Sequence, residues 1–175
     1  MIRTGRTFRR LRSLAALELL NVPLQAWVWF AVVGFPATAA NLTGFALVAL
    51  LLLLGGGYWS AKRRWLAAGR TGLPAARAFA AARVTHPFVL TAGTGFALWA
   101  SMTAPGRGSL PGLAFVLFAW LEHVNYFHVQ LMYDNAADLH RFRAHGFRRG
   151  PLARDLARAR RSGGRPPPVS CPRGP

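Results

Sequence analysis

Glu122, His123, Asn125, Tyr126, Gln130, Tyr133 and Asp134 stand close together at the end of an otherwise apolar run. Carboxyl and imidazole groups give and take protons, and phenols and amides hold polar ligands by hydrogen bonds. An acid at the centre of a membrane helix costs about 2.5–3.5 kcal/mol, so a chain that keeps one there pairs it or uses it. On a helical wheel of about 100° per residue, Glu122, Tyr133, Tyr126, Gln130, His123 and Asp134 fall within about 120° of one another, with Asn125 just outside. That half of the helix must face other helices or a wet cavity, because hydrocarbon offers no hydrogen bonds.

Three chemistries fit this cluster. In the first, the polar side chains bond Thr91, Thr94, Gln25 or Asn41 and fix helix packing or the binding of another membrane subunit. In the second, Glu122 carries a proton or holds a polar head in a pocket completed by Tyr126, Gln130 and Tyr133. That would suit a small transporter or a lipid-modifying enzyme. In the third, histidines bind a metal or haem. His86 and His128 lie equally far in sequence from Arg107 and could face each other as axial ligands. Against the third, His123 and His128 are five apart, whereas metal pairs on one helix are three or four apart. Neither a cofactor nor a metal ion is therefore expected, with haem or metal the minor alternative.

No phosphate-binding loop, dinucleotide fingerprint, nucleophile elbow, Cys-x-x-Cys pair or heptad repeat occurs. Five acids in the chain argue against a paired-carboxylate hydrolase, and Cys171, the single cysteine, has no disulfide partner within the chain. No motif selects a reaction. The chain reads as a small structural, assembly or accessory membrane component rather than an enzyme.

The elements that position the cluster follow from hydropathy and charge. The chain has 175 residues, is 53% hydrophobic and carries a net charge of +17, a combination that suits a membrane protein with cationic loops. Four apolar segments are expected to span, at about 22–36, 39–59, 87–104 and 110–133. The first is the weakest, because Glu18, Asn21, Pro23 and Gln25 interrupt its beginning. It reads either as one long helix kinked at Pro23 or as a surface helix leading into a short span. Ala37-Thr38-Ala39 resembles a leader cleavage site, but cleavage there would leave a terminus against the second span. Gly55-Gly56-Gly57 either loosens the second span or lets another backbone approach. Gly93, Ala97 and Ser101 recur every four residues, a stripe that allows close helix packing in lipid.

The basic residues sit in three blocks: five arginines before the first span, six basic residues between the second and third, and ten arginines from Arg141 to Arg173. Only four spans put all three blocks on one side. The expected fold is therefore all-α, an integral membrane protein of four antiparallel transmembrane helices with both termini cytoplasmic. Residues 1–21 form a basic amphipathic segment, 22–134 the membrane domain, and 135–175 a basic cytoplasmic tail expected to be disordered from about 150. The expected location is a bacterial cytoplasmic membrane. Expected partners are anionic lipid headgroups and a second copy or another membrane protein. Nucleic acid is disfavoured, because the charge follows the loops.

Overall fold

Turn-forming residues separate the helices. A computed structural model describes residues 2–69, 73–131, 140, 146 and 148–163. Among these residues the chain is all-helical. The helices are α1 (Ile2–Ala26), which continues as a π-helix over Trp27–Val32, α2 (Ala39–Ala67), α3 (Ala76–Thr103), α4 (Leu110–Phe127) and α5 (Pro151–Gly163). Two stretches, Thr7–Val32 and Ala39–Ala67, are long and apolar enough to cross a membrane. Tyr133, Asp134 and residues 164–175 lie outside the described residues.

One alternative is taken up and two expectations change. Of the two readings of the first segment, the long helix is the one found, running through Pro23 and on to Val32. Wider π-turns begin four residues after the proline, and Gly34, at φ +70, follows the end of the helix. The fourth helix, expected over about 110–133, stops at Phe127. There the amide N–H groups of His128 and Val129 both donate to Val124 O, and the Asn125 side-chain oxygen accepts from Leu131 N at 2.8 Å. A short amide side chain has drawn the backbone out of the helix. Finally, residues 151–163, within the stretch expected to be disordered, form α5. Its Leu152, Ala153, Asp155 and Leu156 are buried, so its apolar stripe packs against the rest of the chain.

Helix α2 is the axis of the assembly, with α1, α3 and α4 packed against it. Its buried residues Ala40, Gly44, Leu47, Val48, Leu51, Leu52, Gly55 and Tyr58 recur every three or four positions. Leu47, Val48, Leu51 and Leu52 meet Leu90, Phe115, Val116 and Ala119 in one apolar core. Small residues set the spacing. Gly44 lies directly on the backbone of Gly112, and a Cβ added to Gly112 would sit 2.9 Å from Asn41 N. Gly93 receives Leu47, and Ala97 is buried beside it, so two members of the small-residue stripe face the interior.

One fully buried amide fixes the end of the bundle nearest the 33–38 and 104–109 turns. Asn41 Nδ2 donates to Pro36 O and Arg107 O, both at 2.9 Å, and Asn41 Oδ1 accepts from Gly112 N at 2.8 Å. Arg107 donates to Val33 O at 2.9 Å and lies over the Phe35 ring. At the other end α5 packs against α4 and α3 and is tied to α2 by one acid. Asp155, 3% exposed, accepts from Tyr58 at 2.7 Å and pairs with Lys62, the single lysine of the chain, at 2.8 Å. Tyr58, Ala61, Phe79, Tyr126, Phe127, Leu152 and Leu156 close a second core around this pair.

The close approach at Gly112 makes a direct test. Gly112→Leu should lower the thermal midpoint in detergent by an amount corresponding to about 3 kcal/mol, near the upper end for overpacking. Gly95→Leu, on the same hairpin but with open space around it, should change it little. Equal effects would show that the α2–α4 contact does not set the spacing.

Candidate functional site

The polar residues of α4 are held together by an acid on α1. Glu18 accepts a hydrogen bond from the Tyr126 hydroxyl, and Trp59 lines the cleft beside them. The arrangement depends on glycine. Gly55 of α2 lies beneath the bond, where a Cβ would run into the Tyr126 ring and come within 3.1 Å of the Glu18 carboxyl carbon, and Gly56 faces Leu19. The glycine run thus leaves α2 intact and lets α1 come close.

Glu122 is half-buried, hydrogen-bonded to the Asn125 side chain and near enough to Glu18 for the two carboxyls to repel if both are charged. The partners expected for it are engaged elsewhere. Thr91 donates to Pro87 O, Thr94 donates to Leu90 O and accepts from Trp120 Nε1, and Asn41 belongs to the opposite end. Because α4 ends at Phe127, Glu122 lies about 8 Å from the end of its helix at 1.5 Å per residue. The longer helix expected from the sequence implied about 15 Å. Gln130 is off the helix and is held by a backbone bond to Arg148 O at 2.8 Å.

A cleft of about 350 Å³ opens beside this cluster. Glu18, Trp59, Asn125, Tyr126 and Gln130 supply its polar wall. Arg10, Lys62, Arg148 and Arg154 bring one or more cations from each of the three basic blocks. The antiparallel pairing of residues 128–130 with 148–150 returns the chain so that Arg148 and α5 reach the cleft. Lys62 is paired with Asp155, and Arg10, Arg148 and Arg154 line the cleft together with the Glu18 carboxyl.

The histidines form a separate group. His123 is buried, with ring centroids 6.2 Å from His86 and 5.6 Å from His128. His86 and His128 therefore do not confront each other directly, and His123 adjoins both. His128 has left the helix, with φ −125 and ψ −71. Among the described residues, both ring nitrogens of His123 and Nδ1 of His86 are buried without a hydrogen-bond partner. Among the described residues no group of three or more His, Cys, Asp or Glu side chains is arranged to hold a metal ion.

The structure thus gathers Asn125, Tyr126 and Gln130 at one cleft with Glu122 behind them, and gives His123 to the histidine group. Tyr133 and Asp134 lie outside the described residues. Sequence reasoning missed Glu18, Trp59, Lys62, Arg148, Arg154 and Asp155. For Glu18 a signal existed, since it is one of five acids and interrupts an apolar run, as Glu122 does. No protein-family model, curated protein or solved structure matches the chain.

A double-mutant cycle with Glu18→Leu and Tyr126→Phe should give a coupling of about 1 kcal/mol in the unfolding free energy, within the range of hydrogen bonds between membrane helices. Purely additive effects would mean that the two side chains do not act as a pair.

Proposed function

We propose that the chain is an integral membrane protein of four spans, with both ends on the cytoplasmic side of a bacterial membrane. Its cleft binds the polar part of a membrane-borne ligand, and it acts as a binding component rather than as an enzyme. The observation that carries the binding role is the open cleft itself. Asn125 and Tyr126 of α4 line it beside Glu18, with Arg10, Arg148 and Arg154 around them.

The spanning role of α3 and α4 is supported by their surfaces. Phe88, Trp99 and Met102 on α3 and Leu117, Phe118 and Leu121 on α4 are exposed, Met102 by 83%. Outward apolar surface of that extent suits lipid. Cations of all three blocks collect at the α5 end, whereas the turn around Arg107 holds one basic residue at the other, the asymmetry of the positive-inside rule.

A second reading, packing and assembly, is favoured by the Glu18–Tyr126 bond over Gly55. The two readings share residues and differ in what Glu122 supplies.

Topology can be measured with single cysteines placed in a Cys171→Ser background. An impermeant maleimide should label Ala37→Cys and Ala104→Cys from outside the cell, and Ala68→Cys only after permeabilisation. Labelling of positions 37 and 104 from opposite sides would rule out four spans. For Glu122, the packing reading expects Glu122→Gln to keep the wild-type thermal midpoint and Glu122→Leu to lower it by about 1 kcal/mol equivalent. Equal losses in both variants would assign the role to the charge.

A further inference from the structure

Of the two stretches apolar enough to span, the first is by far the less covered. Within Thr7–Val32 6% is buried, against 50% within Ala39–Ala67. Its inner side is occupied: Leu11 and Ala15 are buried, and Val22 and Trp29 pack on the apolar core. Another side carries two amides. Asn21 and Gln25, one turn apart on α1, are half-buried, and neither side chain hydrogen-bonds any group among the described residues. Asn41 of α2, by contrast, makes bonds to Pro36, Arg107 and Gly112. Asn21 stands twelve residues before Val33, so it lies about 18 Å from the 33–38 turn at 1.5 Å per residue. That is near the middle of a hydrocarbon core about 30 Å thick, where lipid tails offer no hydrogen bonds.

The residues around Asn21 are spaced for a partner helix. Leu17, Asn21, Leu24 and Val28 follow one another at intervals of four, three and four, which places them in one narrow stripe. Leu17 is 58% exposed and Leu24 52%. In a parallel helix pair, leucine at one seam position and a β-branched residue at the other favour two strands, and a single asparagine at the latter fixes register. Leu17 and Leu24 stand at the first position, Asn21 and Val28 at the second. Four positions are too few to count as a heptad repeat in the sequence.

We infer that a second copy of this chain packs along α1, with Leu17, Asn21, Leu24 and Val28 of the two copies meeting across a two-fold axis normal to the membrane. The stripe is self-complementary, which favours a second copy over a different chain. A carboxamide has both donors and an acceptor, so Asn21 of each copy gives and receives a bond with Asn21 of the other. Pairing at equal depth needs parallel helices, and a two-fold axis along the membrane normal supplies them. Gln25 flanks the seam in the wall of a groove of about 500 Å³ between α1 and α4. The helix of the second copy lies over that groove, so Gln25 faces protein instead of lipid. Hydrogen bonding is the driving term, because leucine gains little by leaving lipid for protein.

This inference rests on the membrane-embedded reading, and its test keeps the two apart. Full-length protein in the Cys171→Ser background, with one added cysteine, is reconstituted alone into phosphatidylcholine vesicles and mildly oxidised. Leu17→Cys and Leu24→Cys should cross-link to twice the chain mass about tenfold faster than Met102→Cys, which is 83% exposed on α3. Energy transfer between labelled copies should show that Asn21→Leu weakens association about threefold to tenfold, while Asn21→Gln keeps it. Asn21→Leu should leave the thermal midpoint of the monomer unchanged, since the amide makes no bond within the chain. Cross-linking at 17 and 24 no faster than at 102 would overturn the inference and leave lipid on this face. Unchanged association in Asn21→Leu would overturn the amide pairing, and a lowered monomer midpoint would make Asn21 a support of the bundle instead. In native membranes, a Leu24→Cys product of any mass other than twice the chain would give the face to a different protein. Failure of the membrane reading appears separately, as cysteine labelling inconsistent with four spans.

Discussion

Everything in this bundle depends on how closely two backbones can approach α2. Gly44 and Gly112 bring α4 to backbone contact at one end, and Gly55 and Gly56 admit Glu18, Tyr126 and Leu19 at the other. In hydrocarbon, apolar side chains gain little by leaving lipid for protein, so association rests on dispersion at short range and on hydrogen bonds that short range permits. The bonds of Asn41 to the Arg107 carbonyl and the Gly112 amide exist because no Cβ separates the helices there. The bond of Glu18 to Tyr126 crosses Gly55 for the same reason. Glycine in α2 costs helix propensity, about 1 kcal/mol per residue relative to alanine, and that cost is offset by contacts a larger residue would forbid.

The helical fold was legible because hydropathy and charge are periodic and coarse. The starts of α2 and α4, the glycine run and the packing role of Gly93 and Ala97 all follow from local residue types. What failed was anything decided by a single side chain. Asn125 ends α4 by bonding Leu131 N, and no periodicity reports that. Once the helix stops, a wheel has no meaning beyond Phe127. His128 and Gln130 then fall where the returning chain puts them, beside His123 and Arg148 respectively.

The candidate site was half legible. Asn125, Tyr126 and Gln130 were identifiable as polar residues at a place where polarity is costly. The other half comes from sequence-distant residues. Asp155 looks from composition like a stray acid in a solvated basic tail. In the fold it is the partner of Lys62 and Tyr58 and ties α5 to α2, because a buried carboxylate without a cation or hydrogen-bond donor would be severely penalised. The pairing of residues separated by 97 positions along the chain leaves no local trace.

The docking of α5 also has a temporal consequence. Arg148, Pro151 and Arg154 form one wall of the cleft, and they are held there by the bridge at Val129 and Arg149 and by the Lys62–Asp155 pair. All four long helices precede this wall in the chain. During synthesis the groove between α1 and α4 is therefore complete before the cationic wall of the cleft exists. The cleft acquires Arg148 and Arg154 only when the last helix folds back and Asp155 meets Tyr58.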